Sequence, residues 1–498
     1  MTTTRPTRSL AAVLVLLLVA TPLVGATAFG GAAATPRLDD VSPTQQRSGV
    51  GGTSDTGLSV QYELAPVDAA DGRVRVRAQF RLSESVSRAA IAVPDGASVE
   101  STEGFDAAGD GYDYRWDQHG DASITYVVDA TRFANGGLES ISTQEWSFLY
   151  EDAVDLATID WWYYGEQPGS SRTLALADGV EGWAGDDVAV VGPVTVTEET
   201  RGGHTYRVVR SDRADGARPT DEVFDLLASA DASFPVGDRG DTTTVVLPPA
   251  AIRSGGLATV RRGPDRELWA HGSTAVFAHE LAHVRQSFTL ADGSDGPSMH
   301  WLLEGMAEYQ AAVVELRAGR LAEDRFRERV TTDAHVDATL ADRSTWSSPN
   351  VPYDKGERVV AALDAEIRLA TGGERSIVDV WRLLNAHDGT VSYADFVAVV
   401  EAVAGGEMEG WLDRYVRTDA APAVPGGAPG LDTIPDDPPT SLDADAMEAD
   451  IDAVDPAAAS PAETTTVAAL GVQRPVAGAL ALLAAFVSVA LGLLAVVE

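Results

Sequence analysis

Two histidines four residues apart, with a glutamate directly after the first, stand in the stretch STAVFAHELAHVRQSF at 273–288. The stretch holds good helix formers and no Gly or Pro, so it predicts a helix with His279 and His283 on one face, close enough to grip a single ion. Glu280 projects beside that ion, placed to take a proton from a water. A second amphipathic segment, HWLLEGMAEYQAAVVELRAG at 300–319, predicts another helix that ends at Gly319. A catalytic zinc takes three protein ligands and keeps one position open, and Glu304 supplies the third from this facing helix. Glu308, one turn further along the same face, is suited to hydrogen-bond the outer nitrogen of a ligand histidine, and reads equally as a solvated charge. For the two histidines taken alone, an ordinary helix carrying no metal is the plain alternative. The chain has no cysteine, which excludes disulfides and thiolate sites and leaves histidine and carboxylate as the only strong metal donors.

These residues lie in a region, 218–418, whose pattern is mostly helical, with TDEVFDLLASA as a capped helix and TTTVVLPP as a strand. From 56 to 217 the pattern is different. Short alternating runs such as LSVQYEL at 58–64, RVRVRAQFRL at 73–82 and SITYVVDA at 123–130, separated by Asp/Gly turns, predict antiparallel strands in a β-sandwich. The cluster DWWYYGEQ at 160–167 reads as core or interface packing, or as a binding patch. The expected fold is therefore α+β, a β-sandwich-like N-terminal domain at 56–217 followed by a mainly helical domain at 218–418.

Charge narrows the setting. Against 75 acidic residues stand 37 basic ones, for a net charge of −38, which argues against nucleic acid or an anionic lipid surface as a partner. Thirty-six of the basic residues are arginine; the one lysine, Lys355, falls in VPYDKG at 351–356. Such a surface stays soluble in strong brine and resembles that of halophilic, haloarchaeal proteins. At the N-terminus Arg5 and Arg8 precede an apolar run at 10–20 and a small-x-small site at Ala26-Thr27-Ala28, so residues 1–28 are expected to be a secretory signal peptide. Residues 29–55 and 419–474 have the composition of a flexible linker and of an acidic Pro/Ala/Thr-rich stalk. Residues 476–497 are apolar throughout, enough for a helix to cross a hydrocarbon core of about 30 Å, so 475–498 is expected to be a transmembrane anchor. The signal peptide then places the bulk of the chain outside the cell.

At its helical motifs the chain resembles the gluzincin metallopeptidases, in which HExxH is followed by a glutamate ligand on a later helix. WLLEGMAEY is similar to the W-x-x-E-G-x-A-x-Y version shared by aminopeptidase N relatives, glycyl aminopeptidases and the wider peptidase MA-like group. VPYDKG is similar to the segment of that group in which a tyrosine bonds the developing oxyanion. The resemblance covers roughly 220–418 and implies a thermolysin-like catalytic domain. It also implies zinc on His279, His283 and Glu304, Glu280 as the base, and Tyr353 as the oxyanion donor. Lys355 would then sit a turn away, where a compact ammonium is not interchangeable with a guanidinium, or would be a lysine that merely survived a bias toward arginine. Two departures stand out. The segment that reads the substrate's free amine with acidic residues corresponds here to RSGGLATVRRG at 253–263, which has none, and the large C-terminal helical domain of many such enzymes has no counterpart. Residues 254–260 are still expected to form an edge strand along which a peptide could lie. His271 and His300 flank the site and read either as substrate contacts or as helix-end and surface groups.

The function expected is a membrane-anchored extracellular zinc-dependent peptidase, acting on a peptide or protein. Two other classes stay open: a catalytically inactive surface peptide-binding or adhesion protein, and a zinc hydrolase with a non-peptide substrate.

Overall fold

Strict alternation of apolar and polar residues over 73–82 leaves a strand no choice of face. In the computed structural model Val74, Val76, Ala78 and Phe80 of the strand Arg73–Leu82 point inward while the arginines between them face out. The structure describes residues 44–46 and 56–426, apart from 68–71, 110, 135–136, 144, 151–155, 164–168, 215–217, 250–251, 253–254, 259–264 and 292–296. The expected signal peptide, most of the linker, most of the stalk and the apolar C-terminal segment lie outside the described residues. Among the described residues no helix is long and apolar enough to cross a membrane.

The N-terminal part contains three five-stranded sheets. In the first, Thr56–Pro66 and Ala122–Asp129 flank Arg73–Leu82 antiparallel, with registers such as Val76↔Tyr126 and Leu64↔Val76. The second is centred on Val86–Ala92 paired with Thr158–Tyr163. Leu58, Val60, Phe80 and Ile124 of the first pack against Ile91, Ile159 and Trp161 of the second in one apolar core. Within DWWYYGEQ, Trp161 and Tyr163 are therefore core residues, whereas the partly buried Trp162 lies under the Arg88 guanidinium.

The third sheet joins the two halves. Its strands Ser147–Tyr150 and Val188–Val191 are buried along their whole length. Leu149, Ala189 and Val191 enter the sandwich core, while Phe148, Tyr150, Val188 and Val190 pack with Val209, Val246 and Trp269 of the next sheet. Uninterrupted apolar runs of this kind are what a strand covered on both faces requires.

That next sheet is mixed, and it spans the expected boundary at 217/218. Val194–Arg201 and His204–Ser211, which precede the boundary, pair with Thr242–Leu247, Asp265–Ala270 and Gly256–Ala258, which follow it. The sheet of the second half thus begins at Val194. Periodicity identifies a strand but not the sheet it joins.

Eight helices complete the described chain: α1 Thr220–Ser233, α2 Thr274–Val284, α3 His300–Arg317, α4 Glu323–Val330, α5 Val351–Ala370, α6 Ile377–Ala386, α7 Tyr393–Ala404 and α8 Glu409–Val416. Ser376 and Ser392 open α6 and α7 with capping boxes closed by Asp379 and Asp395, so local side chains satisfy the first orphan N–H groups. A large apolar core holds α3, α5, α6 and α7 together through Trp301, Leu363, Trp381 and Phe396. Residues just past 418, where the stalk is expected to begin, still touch the helical part. Arg358 Nε donates to the Pro422 carbonyl at 2.7 Å and Val424 packs on the helical core, so the chain stays attached beyond α8.

Candidate metal centre

The strand Asp265–Ala270 runs almost directly into α2, which fixes where the helix starts relative to the sheet. On α2 His279 and His283 face α3, and their rings meet edge to face, 4.6 Å between centroids. Glu304 on α3 closes the group. His283 Nε2 lies 2.9 Å from His279 Nε2 and 3.2 Å from Glu304 Oε2, and His279 Nε2 lies 3.3 Å from the same oxygen. Ligands about 2.0–2.1 Å from one tetrahedral ion stand roughly 3.3 Å apart, so three donors at 2.9–3.3 Å fit a single small cation. Among the described residues this is the one His/Asp/Glu group whose donors converge in this way.

The electrostatics point the same way. Burial disfavours the imidazolium of His279, yet Glu304, Glu308 and Glu280 outweigh it and raise its pKa well above the ordinary value. His283 is also raised, burial being opposed mainly by Glu304. Burial would raise Glu304, but the two histidines hold its carboxyl far below the usual range. The cluster demands positive charge at its centre. Protons and a metal ion compete for that place, which makes metal affinity dependent on pH.

The outer nitrogens are fixed differently. His283 Nδ1 is 2.8 Å from Gln286 Oε1, and Gln286 Nε2 donates to the Leu303 carbonyl at 3.0 Å. A carbonyl only accepts, so the amide orientation is determined and the Gln286 oxygen faces the imidazole. In neutral His283 the proton then sits on Nδ1 and the Nε2 lone pair points into the cluster. His279 Nδ1 lies 3.3 Å from Glu308 Oε1, a charge contact off the hydrogen-bond line.

Two glycines set the distance between α3 and α5. A Cβ on Gly305 would stand 2.7 Å from the Gly356 carbonyl carbon, and one on Gly356 would stand 3.2 Å from Gly305 Cα. Backbone therefore meets backbone between EGM and DKG, and Tyr353 is brought over the site. Its ring stacks on His279, 5.9 Å between centroids and 15° from parallel. Burial, then the charges of Glu304 and Glu280, push its phenol well above its ordinary value, so it stays a neutral donor. Glu280 is buried against the edge strand Gly256–Ala258, where a Cβ on Gly256 would fall 2.7 Å from Glu280 Cγ.

Lys355 is placed elsewhere. Fully buried, its ammonium donates to the Ala338 carbonyl at 2.5 Å and the Thr418 carbonyl at 3.3 Å, tying α5 to the preceding loop and to the end of α8. Burial lowers it to about 8, against the pull of Asp419 and Asp337. Its two bonds run to main chain rather than to the three donors. The structure thus gives the single lysine a fastening role, in which a compact ammonium fits between two carbonyls. His271 joins the edge strand through its backbone N–H, 2.5 Å from the Gly255 carbonyl, and His300 opens α3.

Sequence reasoning passed over Gln286, although its position three residues after His283 places it at the same helix end. It also passed over the glycines of both motifs.

No protein-family model matches the sequence, nor does any curated protein. Solved structures do resemble the fold. An aminopeptidase N family protein from Idiomarina loihiensis aligns with TM-score 0.53 at 13% identity over 74% of this chain and 77% of its own. An M1 zinc metallopeptidase from Deinococcus radiodurans aligns with TM-score 0.48 at 16% identity, over 75% and 97%. The likeness to the first is one of architecture: this chain has the fold of an aminopeptidase N family protein, a sheet-rich N-terminal part joined to a helical part.

Proposed function

We propose that the chain is a zinc-dependent peptidase. The observation that carries this reading is the convergence of His279, His283 and Glu304, with Glu280 and Tyr353 packed around them. Zinc bound by these three residues would supply a Lewis acid and lower the pKa of a water toward neutrality. Glu280 takes a proton from the attacking water and returns it to the leaving amine, while the Tyr353 hydroxyl donates to the oxyanion that develops on the carbonyl. Glu308 and Gln286 orient the two imidazoles. The edge strand Gly256–Ala258 offers main-chain groups to an extended peptide.

The test is hydrolysis of a mixed peptide library, with free and blocked N-termini, in molar salt. Glu280→Gln is expected to lose about 10²–10⁴-fold in kcat, and chelation to abolish turnover until zinc is restored. Cleavage that survives both the substitution and chelation would sink the proposal, and absence of any cleavage by zinc-loaded protein would favour a binding role. Turnover of blocked peptides would identify internal cleavage.

We further propose that the protein is held in the cell membrane by 475–498, with its peptidase part outside. This reading rests on the apolar runs at the two ends. Protease shaving of intact cells should release a fragment containing His279, and retention of all material inside would overturn it.

A further inference from the structure

Behind His279 the interior is charged rather than apolar. Glu308 splits its carboxylate: Oε1 faces His279 Nδ1, and Oε2 accepts from Arg329 Nη2. The same Arg329 nitrogen also donates to the backbone carbonyl of Glu308 at 3.0 Å, so one donor grips both the main chain and the side chain of a single residue. On its other edge Arg329 Nε donates to Glu357 Oε1 at 2.6 Å. Glu357 is buried on α5, Arg329 stands in the last turn of α4, Glu308 on α3 and His279 on α2. Four helices are thus linked in one line of alternating charge that ends on an imidazole of the candidate metal centre.

We propose that Arg329 is a positioning residue for that centre: its guanidinium, backed by Glu357, holds the Glu308 carboxylate against His279 and so sets the orientation and donor strength of that imidazole. This rests on the reading of His279, His283 and Glu304 as metal ligands. Arg329 holds Glu308 Oε2 and the Glu308 main chain together, which leaves Oε1 turned toward the ring at 3.3 Å from His279 Nδ1. A guanidinium satisfies three acceptors at fixed angles, which an ammonium on a flexible stem does not. Groups that contact the outer nitrogen of a ligand histidine are worth about 10–100-fold in metal affinity, and a residue that fixes such a carboxylate acts through the same charge contact.

The experiment is competition between a chromogenic chelator and the full-length protein for zinc, with the visible spectrum of the cobalt form as a second readout. Arg329→Gln should weaken zinc binding about 10–100-fold and alter the cobalt bands, with Arg329→Lys in between and Glu357→Gln weaker than either. Combined with Glu308→Gln, Arg329→Gln should add little, because both break one path. Wild-type affinity and an unchanged cobalt spectrum in a folded Arg329→Gln, or full additivity with Glu308→Gln, would overturn the proposal while leaving the peptidase reading intact. Should Arg329→Gln not fold, Arg329→Lys and Glu357→Gln carry the same comparison. Failure of wild type to bind zinc would overturn both.

Discussion

The N-terminal sandwich and the helical half fill their interiors with different material. Between the first two sheets the core is apolar, and its buried hydroxyls turn to main chain, Tyr62 to the Ala157 carbonyl at 3.1 Å and Tyr126 to the Ala157 N–H at 2.9 Å. Around that core the N-terminal part buries the carboxylates of Asp160 and Asp187; after residue 200 the interior admits charge far more often. Arg285 pairs with Asp231, Asp364 receives Tyr309, Arg368 and the Ile377 N–H, and the centre itself is a buried His/Glu cluster. Apolar burial stabilises without direction, whereas buried hydrogen-bonded charges cost desolvation and hold side chains at set angles. The sandwich core is filled by non-directional apolar contacts, whereas the helical half adds fixed polar geometry to an apolar core of its own.

That contrast can be broken most severely in the sandwich. Trp161→Ala is expected to cost about 3–5 kcal/mol in denaturant unfolding, while the zinc affinity of the folded fraction stays at its wild-type value. A shift in affinity would mean that the two interiors are not separate in function. Tyr353→Phe should do the reverse, with kcat falling about 10²–10³-fold and stability nearly unmoved. Gly305→Ala lies between them. Its Cβ would press on the Gly356 main chain, so α3 and α5 must part at a cost of about 1–3 kcal/mol, with Glu304 and Tyr353 displaced and turnover reduced beyond what the stability loss explains.

How much of this was legible in the sequence follows from the same contrast. Alternation in RVRVRAQFRL gives both strand and buried face, because period two leaves one solution. HExxH and the later EGMAEY place His279, His283 and Glu304 because helical spacing is rigid, and α2 and α3 bring those three donors together. What the sequence hid depends on how elements meet. Strands 194–201 and 204–211 lie in the region expected to form the sandwich but pair into the sheet that carries Asp265–Ala270, since partner choice has no local signal. Lys355 stands two residues from Tyr353, yet at helical spacing this turns it to another face, and it ends on main-chain carbonyls. Arg329 lies on a short, highly charged helix where any arginine reads as solvated; only the packing of α4 across α3 and α5 gives it a buried partner in Glu357 and a half-buried one in Glu308.

The seam between the regions gives the finest test. Glu267, on the strand that leads into α2, is 5% exposed and accepts the N–H groups of Asp186 at 3.0 Å and Asp187 at 3.3 Å from the N-terminal part. Burial, then the charge of Asp187, push it up to about 8. Its folded pKa thus lies above its unfolded value of 4.5, so the neutral carboxyl contributes stability that is complete below pH 4.5 and lost as pH rises through about 8. Glu267→Gln removes the charge and keeps one of the two oxygens that accept the Asp186 and Asp187 N–H groups. The variant should lie below wild type in acid by about 1 kcal/mol for the lost bond, and gain on it as pH rises through about 8, in unfolding experiments at constant salt. Equal pH profiles for the two proteins would show that the carboxylate is accommodated charged at the seam, and that the joint between the regions is built like the helical half rather than like the sandwich.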